Sequence, residues 1–190
     1  MSDKKAFVER YISDLGTALK GLDTAAIAQA ISCLKEARDS DRMVYICGNG
    51  GSASIASQMV VDINKGASYG RNRRFRMIGL TDSIATITAY ANDVDYDAVF
   101  AEQLKNFARP GDVLIAISGS GNSRNVIQAV EYANSAGVTT IGITKTSGGK
   151  LREIAKLPLL VASEHMGNLE DGFFIITHIL CYAFMEDASY

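Results

Sequence analysis

The sequence has little of several residue types, and each shortage excludes a class of protein. Its 190 residues contain no tryptophan, two prolines, three cysteines and two histidines. The cysteines are odd in number and widely spaced, which excludes a disulfide framework and indicates a reducing compartment. Lysine and arginine total 19 against 21 aspartates and glutamates, so the chain lacks the basic surplus of a nucleic-acid-binding protein. The longest nearly apolar run, residues 173–184, falls short of the ~20 residues that a bilayer span needs.

What is present is the composition of an ordinary folded domain. Hydrophobic residues make up 47% of the chain and charged residues 21%, which excludes a disordered or low-complexity protein. We expect a single domain over residues 1–190, located in the cytoplasm, with neither a membrane nor a nucleic acid as its partner.

Short β-branched segments alternate with stretches of helical spacing along the chain. This alternation predicts an α/β fold with a doubly wound parallel sheet and helices on both faces. We divide the chain into an N-terminal helical arm (1–40), a parallel α/β core (41–165) and a C-terminal helix (166–190). Strands are predicted at 43–47, 76–80, 112–117, 138–143 and 157–161, and helices at 4–20, 23–39, 53–65, 83–91, 98–107, 123–136 and 168–187.

The predicted last helix is apolar around most of its circumference between Phe173 and Phe184. Such a helix must be buried on nearly all sides. We therefore expect it to pack against another subunit of a homo-oligomer.

The first chemically unusual segment is Gly48-Asn49-Gly50-Gly51-Ser52-Ala53, which leaves a predicted strand and opens a predicted helix. Glycines let the backbone approach an anion, and the helix N-terminus offers unpaired N–H groups. The segment also matches the G-x-G-x-x-A dinucleotide pattern, a weak motif. A tight strand-to-helix turn without a ligand explains a single glycine-rich segment equally well.

A second segment, Ser118-Gly119-Ser120-Gly121-Asn122-Ser123, occupies the equivalent place after another predicted strand. Its three hydroxyls and two glycines form a cup that could hold a phosphate without a lysine. Ligands of doubly wound sheets bind beyond the carboxyl ends of strands, so two such segments favour a ligand over a solvent loop. Because a dinucleotide domain does not need the second segment, the pair points to a monophosphorylated small molecule.

Strand–GNGGSA–helix followed by strand–SGSGNS–helix resembles the sugar isomerase (SIS) domain family. The whole chain is similar to the phosphoheptose isomerase branch, through Ala91-Asn92-Asp93, Gly148-Gly149-Lys150 and the histidine-bearing last helix. The resemblance implies a three-layer flavodoxin-like fold and a homotetramer with sites at subunit boundaries. It also implies isomerisation of sedoheptulose 7-phosphate to D-glycero-D-manno-heptose 7-phosphate for lipopolysaccharide or capsule synthesis.

The resemblance further implies which residues bind a phosphorylated sugar. Hydroxyls and a backbone N–H of the second segment would hold the phosphate, the first segment would contact the sugar chain, and an aspartate would bond its hydroxyls. No nucleotide cofactor is expected. These substrate-binding residues are Asn49, Gly50, Gly51, Ser52, Asp93, Ser118, Gly119, Ser120 and Ser123.

An enediol isomerisation needs an acid–base group, and the family's site is altered in this chain. The family has His and Glu at the positions of Gln58 and Asp62, and Gln at that of Glu170, whereas His178 matches. By resemblance, Asp62 and His178 would be the acid–base pair, with Glu170 assisting. The same four positions, Gln58, Asp62, Glu170 and His178, would be the zinc ligands. Asp171 and His165 have no assigned role.

Two other functions compete with the isomerase. The altered catalytic set fits a phosphosugar-binding protein that acts through protein contacts, as the replication-initiator-associating relatives do. The dinucleotide pattern fits an oxidoreductase, which would need an acidic residue about 20 positions further on. Asp82 comes about thirty residues after the pattern, so the spacing disfavours the oxidoreductase.

Overall fold

Five parallel strands alternate with helices in a computed structural model that describes residues 3–187. The strands are β1 (Met43–Cys47), β2 (Arg76–Gly79), β3 (Val113–Ile117), β4 (Thr139–Lys145) and β5 (Leu157–Val161). The helices are α1 (Lys4–Lys20), α2 (Thr24–Asp39), α3 (Gly51–Val61), α4 (Ile84–Asp93), α5 (Val99–Phe107), α6 (Arg124–Ser135), α7 (Gly149–Ile154) and α8 (Met166–Met185). A π-helical turn (Asp62–Gly66) extends α3, and a 3₁₀ turn (Tyr96–Ala98) precedes α5.

The strand order is β2-β1-β3-β4-β5, and each neighbouring pair is parallel. This is the doubly wound order of flavodoxin-like folds, in which the order reverses beside β1 and β3. Val44 is paired with Val113 and Cys47 with Ala116 in that central pair. The predicted parallel α/β fold is confirmed, and the segments that leave β1 and β3 emerge side by side.

Alternate side chains of each strand enter two separate cores. Ile46 and Ile115 pack under α1, α2, α3 and α8, whereas Tyr45 and Leu114 pack under α5, α6 and α7. The period of two along a strand produces this division. The N-terminal helices are therefore part of one covering layer, and Leu34 of α2 is buried in it.

The helices of the structure differ from the predicted ones at several ends, and three of the differences have a physical reason. Helix α8 begins at Met166, two residues before the predicted start, because His165 caps it by accepting a hydrogen bond from the N–H of Asn168. The segment after Gly148 forms the six-residue α7, too short to show a helical period in sequence. The predicted helix 53–65 begins at Gly51 and changes to the π-helical turn at Asp62.

Helix α8 is buried along one face and exposed along the other. Phe173, Leu180 and Phe184 are fully buried, while Ile179 and Tyr182 are exposed in a single chain. A single chain therefore does not bury α8 on nearly all sides, and the expected burial would need a further protein surface against the exposed face of this helix. Among residues 3–187, no helix has the length and apolar character needed to cross a bilayer.

The buried carboxylate of Asp112 joins the amino ends of the central strands. Its Oδ1 accepts a hydrogen bond from the backbone N–H of Met43 at 3.0 Å, and its Oδ2 accepts one from the backbone N–H of Arg109 at 2.8 Å. The Tyr45 hydroxyl lies 3.5 Å from the same carboxylate. Burial, with Asp112 nearby, raises the pKa of Tyr45 to about 12. Asp112 thus satisfies backbone donors that would otherwise be buried without a partner.

Asp112→Asn should lower the free energy of unfolding by about 1–3 kcal/mol. The asparagine side chain has a single acceptor oxygen, so it cannot accept the hydrogen bonds of both backbone N–H groups as the two carboxylate oxygens do. Urea unfolding should show a lower midpoint with an unchanged slope. Asp14→Asn, at an exposed position of α1, is the control and should change stability by less than about 0.5 kcal/mol. Equal stability of the two variants would contradict the anchoring role of Asp112.

Candidate functional site

Two loops meet at the carboxyl ends of β1 and β3. We call residues 48–52 the glycine loop and residues 118–123 the serine loop. Asn49 and Asn125 exchange two side-chain hydrogen bonds of 2.9 Å, and Asn125 is buried at the start of α6. The Tyr96 hydroxyl donates to Asn49 Oδ1 at 3.0 Å. This amide pair fixes the two loops against each other.

The serine loop gathers its hydroxyl groups around one point. The Ser118 hydroxyl lies 3.1 Å from that of Ser123 and 3.5 Å from that of Ser120. The N–H of Gly121 donates to Ser118 Oγ, and the N–H of Asn122 donates to Ser120 Oγ, each at 3.1 Å. Hydroxyls whose oxygens accept from the backbone have their own hydrogens to offer to a ligand. The loop is therefore built as a set of neutral donors.

A cavity of about 240 Å³ opens between the two loops. Its walls combine both loops with the end of β3 and the first turns of α8. The lining residues are Asn49, Ser52, Ile117, Ser118, Gly119, Ser120, Ser123, Met166 and Glu170. Six of the nine predicted substrate-binding residues thus line one cavity. Ile117 and Met166 line it as well, but as ordinary apolar residues they gave no indication in the sequence that they belong to a site.

Gly121 gives the serine loop its shape. Its φ of +67° is in the left-handed region, and a Cβ there would overlap the carbonyl oxygen of Gly148. The carbonyl of Gly121 accepts a hydrogen bond from the N–H of Leu151 at 2.9 Å. The Gly148 segment and α7 therefore support the serine loop from behind.

The glycine loop differs from the serine loop because a carboxylate already lies beside it. Glu170 of α8 lies so close to Gly51, the first residue of α3, that a Cβ on this glycine would collide with Glu170 Oε1. A carboxylate at a helix N-terminus is stabilised by the helix dipole and repels a second anion. An anionic ligand is therefore favoured at the serine loop, with its uncharged part towards the glycine loop.

Asp62 and His178 form a pair between the π-helical turn and α8. His178 Nε2 lies 3.7 Å from Asp62 Oδ2, and their side chains are 45% and 19% exposed. The Gln58 side-chain amide donates to both Asp62 oxygens at 3.2 Å. The Asp62 carboxylate is thus oriented by Gln58 on one side and faces the imidazole on the other.

The zinc set implied by the resemblance does not fit this arrangement. Gln58 presents N–H donors to the Asp62 oxygens that a metal would need. Glu170 is eight residues from His178, about 12 Å along a helix, and lies beside Gly51 instead. Within residues 3–187 there is no group of three or more histidine, cysteine, aspartate or glutamate side chains placed to hold a metal ion.

The remaining predicted residues lie around the cavity rather than in it. Gly50 forms the turn before α3 with a φ of +55°. The Asp93 carboxylate accepts from the Asn92 amide at 2.7 Å and lines a separate pocket on α4. Asp171 accepts from the Tyr11 hydroxyl at 2.7 Å and so joins α8 to α1; this bond raises the pKa of Tyr11. His165 caps α8 and packs edge-on against Tyr11.

The doubly wound sheet with two loops paired beside its central strands defines the class of the protein, a flavodoxin-like α/β fold with a candidate ligand cavity. Comparison with known proteins identifies the family. The model of the SIS domain matches residues 9–145. The chain belongs to the SIS domain family.

Most of the chain is similar to phosphoheptose isomerases. The enzyme of Rhodospirillum rubrum is 36% identical over 163 residues, which cover 86% of each protein. That of Aliarcobacter butzleri is 32% identical over 189 residues, 98% of this chain and all of the relative. The solved phosphoheptose isomerase from Neisseria gonorrhoeae superposes with a TM-score of 0.88 at 27% identity, covering 97% of this chain and 100% of that one. The resemblance drawn from the two loops is confirmed.

Gly121→Ala should destabilise the protein by about 3 kcal/mol, because a left-handed φ and a backbone overlap must both be relieved. It should also weaken phosphate binding by distorting the serine loop. Gly16→Ala is the control: it lies inside α1 with open space around a Cβ and should stabilise by ~0.5–1 kcal/mol. Thermal unfolding and phosphate titration of both variants test this, and a stable Gly121→Ala protein would contradict it.

Glu170→Gln should tighten the binding of inorganic phosphate about fivefold, because it removes a negative charge from the cavity that would hold the anion. Isothermal titration calorimetry at low salt measures the change. Asp171→Asn is a matched control, since the neighbouring carboxylate bonds Tyr11 outside the cavity. Unchanged or weaker phosphate binding by Glu170→Gln would show that the carboxylate does not face the anion.

Proposed function

We propose that this chain is a phosphoheptose isomerase, which interconverts sedoheptulose 7-phosphate and D-glycero-D-manno-heptose 7-phosphate. The observation that carries the proposal is the cavity in which a cup of three serine hydroxyls faces the glycine loop and Glu170. The cup has the donors for one phosphate ester. The similarity to phosphoheptose isomerases over nearly the whole chain supports the same function.

In the proposed complex, the phosphate binds Ser118, Ser120 and Ser123. Hydroxyl donors suit a phosphate monoester, whose oxygens accept several hydrogen bonds at once. The sugar chain then passes the glycine loop, where Asn49 and Glu170 have acceptor oxygens for its hydroxyls. Glu170 and His178 are eight positions apart on α8, about 12 Å along the helix, a separation that suits a long sugar phosphate rather than a triose phosphate.

The reaction needs proton transfers and no redox cofactor. The Asp62 carboxylate takes a proton from C1 of the ketose, the C–H electron pair forms the C1=C2 bond, and the carbonyl oxygen on C2 takes a proton to give the enediol. C2 then receives a proton while the hydroxyl on C1 loses one, which leaves the aldose. His178 transfers the proton between the two oxygens, since an imidazole ring has one nitrogen that can donate a hydrogen bond and one that can accept. Glu170 assists by orienting the sugar hydroxyls.

We further propose that the protein is a homotetramer whose sites lie at subunit boundaries. His178 is half-exposed, and the apolar side chains of Val61, Ile179 and Tyr182, neighbours of the pair in sequence, are exposed with it. On α1, the exposed side chains of Phe7 and Ile12 form a further apolar surface. A second copy that covers these surfaces would remove water from the acid–base pair and strengthen its electrostatic interactions.

The proposed product would feed lipopolysaccharide or capsule heptose synthesis in the cytoplasm. Heptose phosphates are charged and small, so an enzyme that uses them works where they are made. The reducing compartment inferred from the three unpaired cysteines agrees with this location.

Replacing His178 by Ala or Asp62 by Asn should lower kcat at least ~1,000-fold, because each removes a group that moves a proton. Phosphate binding should stay within about twofold of the wild type, since the serine loop is untouched. Ser118→Ala should instead weaken phosphate binding and raise KM, because it removes one hydroxyl of the serine loop. Assays of heptose phosphate conversion, with calorimetric phosphate titration of each variant, separate these effects.

Two outcomes would overturn the assignment. Full turnover in both His178→Ala and Asp62→Asn would exclude them as the acid–base pair. Stabilisation of the wild type by sugar phosphates without turnover would favour the phosphosugar-binding alternative. Binding with conversion in the wild type, lost in the two variants, is the expected result.

A further inference from the structure

The cavity between the two loops is polar except at two of its residues. Of the nine residues that line it, seven are serine, asparagine, glycine or glutamate, and the other two are Ile117 and Met166. Ile117 is fully buried by the protein, so it has no accessible surface left for a ligand to cover. Met166 is 55% exposed. Of the lining residues, Met166 therefore offers the apolar surface that a ligand in the cavity could cover.

The Met166 side chain lies over the serine loop. A Cβ added to Gly119 would lie 3.3 Å from Met166 Sδ, 3.6 Å from Met166 Cε and 3.5 Å from Leu169 Cδ2. Gly119 stands between Ser118 and Ser120, two of the three serines whose hydroxyls form the proposed phosphate cup. The thioether of Met166 thus lies directly beside the groups that would bind a phosphate.

The first turn of α8 is anchored at its backbone. His165 donates its N–H to Ser163 Oγ at 3.2 Å, and its Nδ1 accepts from the N–H of Asn168 at 3.4 Å. The buried Leu169 donates its N–H to the carbonyl oxygen of His165 at 3.0 Å. The position of Met166 is therefore fixed, while its unbranched side chain can adapt its shape to an apolar surface.

We propose that Met166 packs against the ester carbon of a bound sugar phosphate and so makes the cavity selective for phosphate esters over inorganic phosphate. The inference rests on the proposed binding of a phosphate ester by the serine loop. Serine hydroxyls bind phosphate oxygens, which both ligands have, and cannot by themselves distinguish the two. An ester also has a methylene group directly beside its phosphate, and covering one methylene changes affinity about fourfold. Met166 is the lining side chain placed to cover it.

Calorimetric titration with inorganic phosphate and with propyl phosphate tests the proposal, because propyl phosphate has the ester carbons and none of the sugar hydroxyls. The wild type should bind propyl phosphate about fivefold more tightly than inorganic phosphate. Met166→Ala should reduce this preference to about twofold or less, with the affinity for inorganic phosphate nearly unchanged. Met166→Leu restores a similar apolar volume and should restore the preference.

Turnover adds a second measurement of the same contact. Met166→Ala should raise KM for the heptose phosphate about fivefold with little change in kcat, because the ester carbon makes the same contact in the ground state and in the transition state. A fall in kcat with KM unchanged would contradict a contact at the ester end of the sugar.

Ile84→Ala is the matched control. Ile84 is the first residue of α4, as Met166 is of α8, and it is 77% exposed outside the lining of the cavity. This variant should keep the wild-type preference for propyl phosphate.

The other outcomes would overturn the inference. An equal preference in the wild type and in Met166→Ala would show that Met166 does not contact the ester. Weaker binding of both ligands by Met166→Ala would show that it shapes the serine loop instead. Conversion of heptose phosphate by the wild type tests the proposed function separately, so either result could occur in an active isomerase. Binding of neither ligand to the wild type would overturn the phosphate cup together with this inference.

Discussion

The candidate site depends on the hydrogen bonding of β1 to β3. This pairing brings together two loops that lie about seventy residues apart in sequence, and the Asn49–Asn125 amide pair fixes their relative position. Neither loop alone forms a cavity. The serine loop supplies hydroxyl donors, while Gly51 of the glycine loop lets the start of α3 lie close to Glu170 of α8. A shift of one strand against the other would separate the serine hydroxyls from the glycine loop and leave two unrelated turns.

A second constraint is the packing of α3 beside α8, which sorts the charged groups along the site. Gly51 lies against Glu170, Asp62 against His178, and Gly66 against Met185. The carboxylate of Glu170 therefore lies beside the glycine loop, and the proposed acid–base pair of Asp62 and His178 lies about two helical turns further along α8. Asp62 and His178 lie outside the lining of the cavity, so a sugar that reached them from the serine loop would extend past Glu170.

The sequence predicted the parts of the protein that local chemistry determines. Alternation of β-branched and helical segments predicted the parallel sheet, and two glycine- and serine-rich segments after strands predicted the cavity. The amide pair between Asn49 and Asn125 could not be predicted, because it depends on the register of two strands. The position of Glu170 over Gly51 is likewise a tertiary effect. The cap on α8 by His165 is local, but histidine is not among the residues that usually cap a helix, so the sequence did not indicate it.

The most direct test of the account is the structure of the protein with sedoheptulose 7-phosphate bound. The phosphate oxygens should lie within hydrogen-bonding distance of the Ser118, Ser120 and Ser123 hydroxyls, with the sugar chain directed past Glu170 towards Asp62 and His178. A phosphate bound at the start of α3, or a sugar chain directed away from the acid–base pair, would contradict the account.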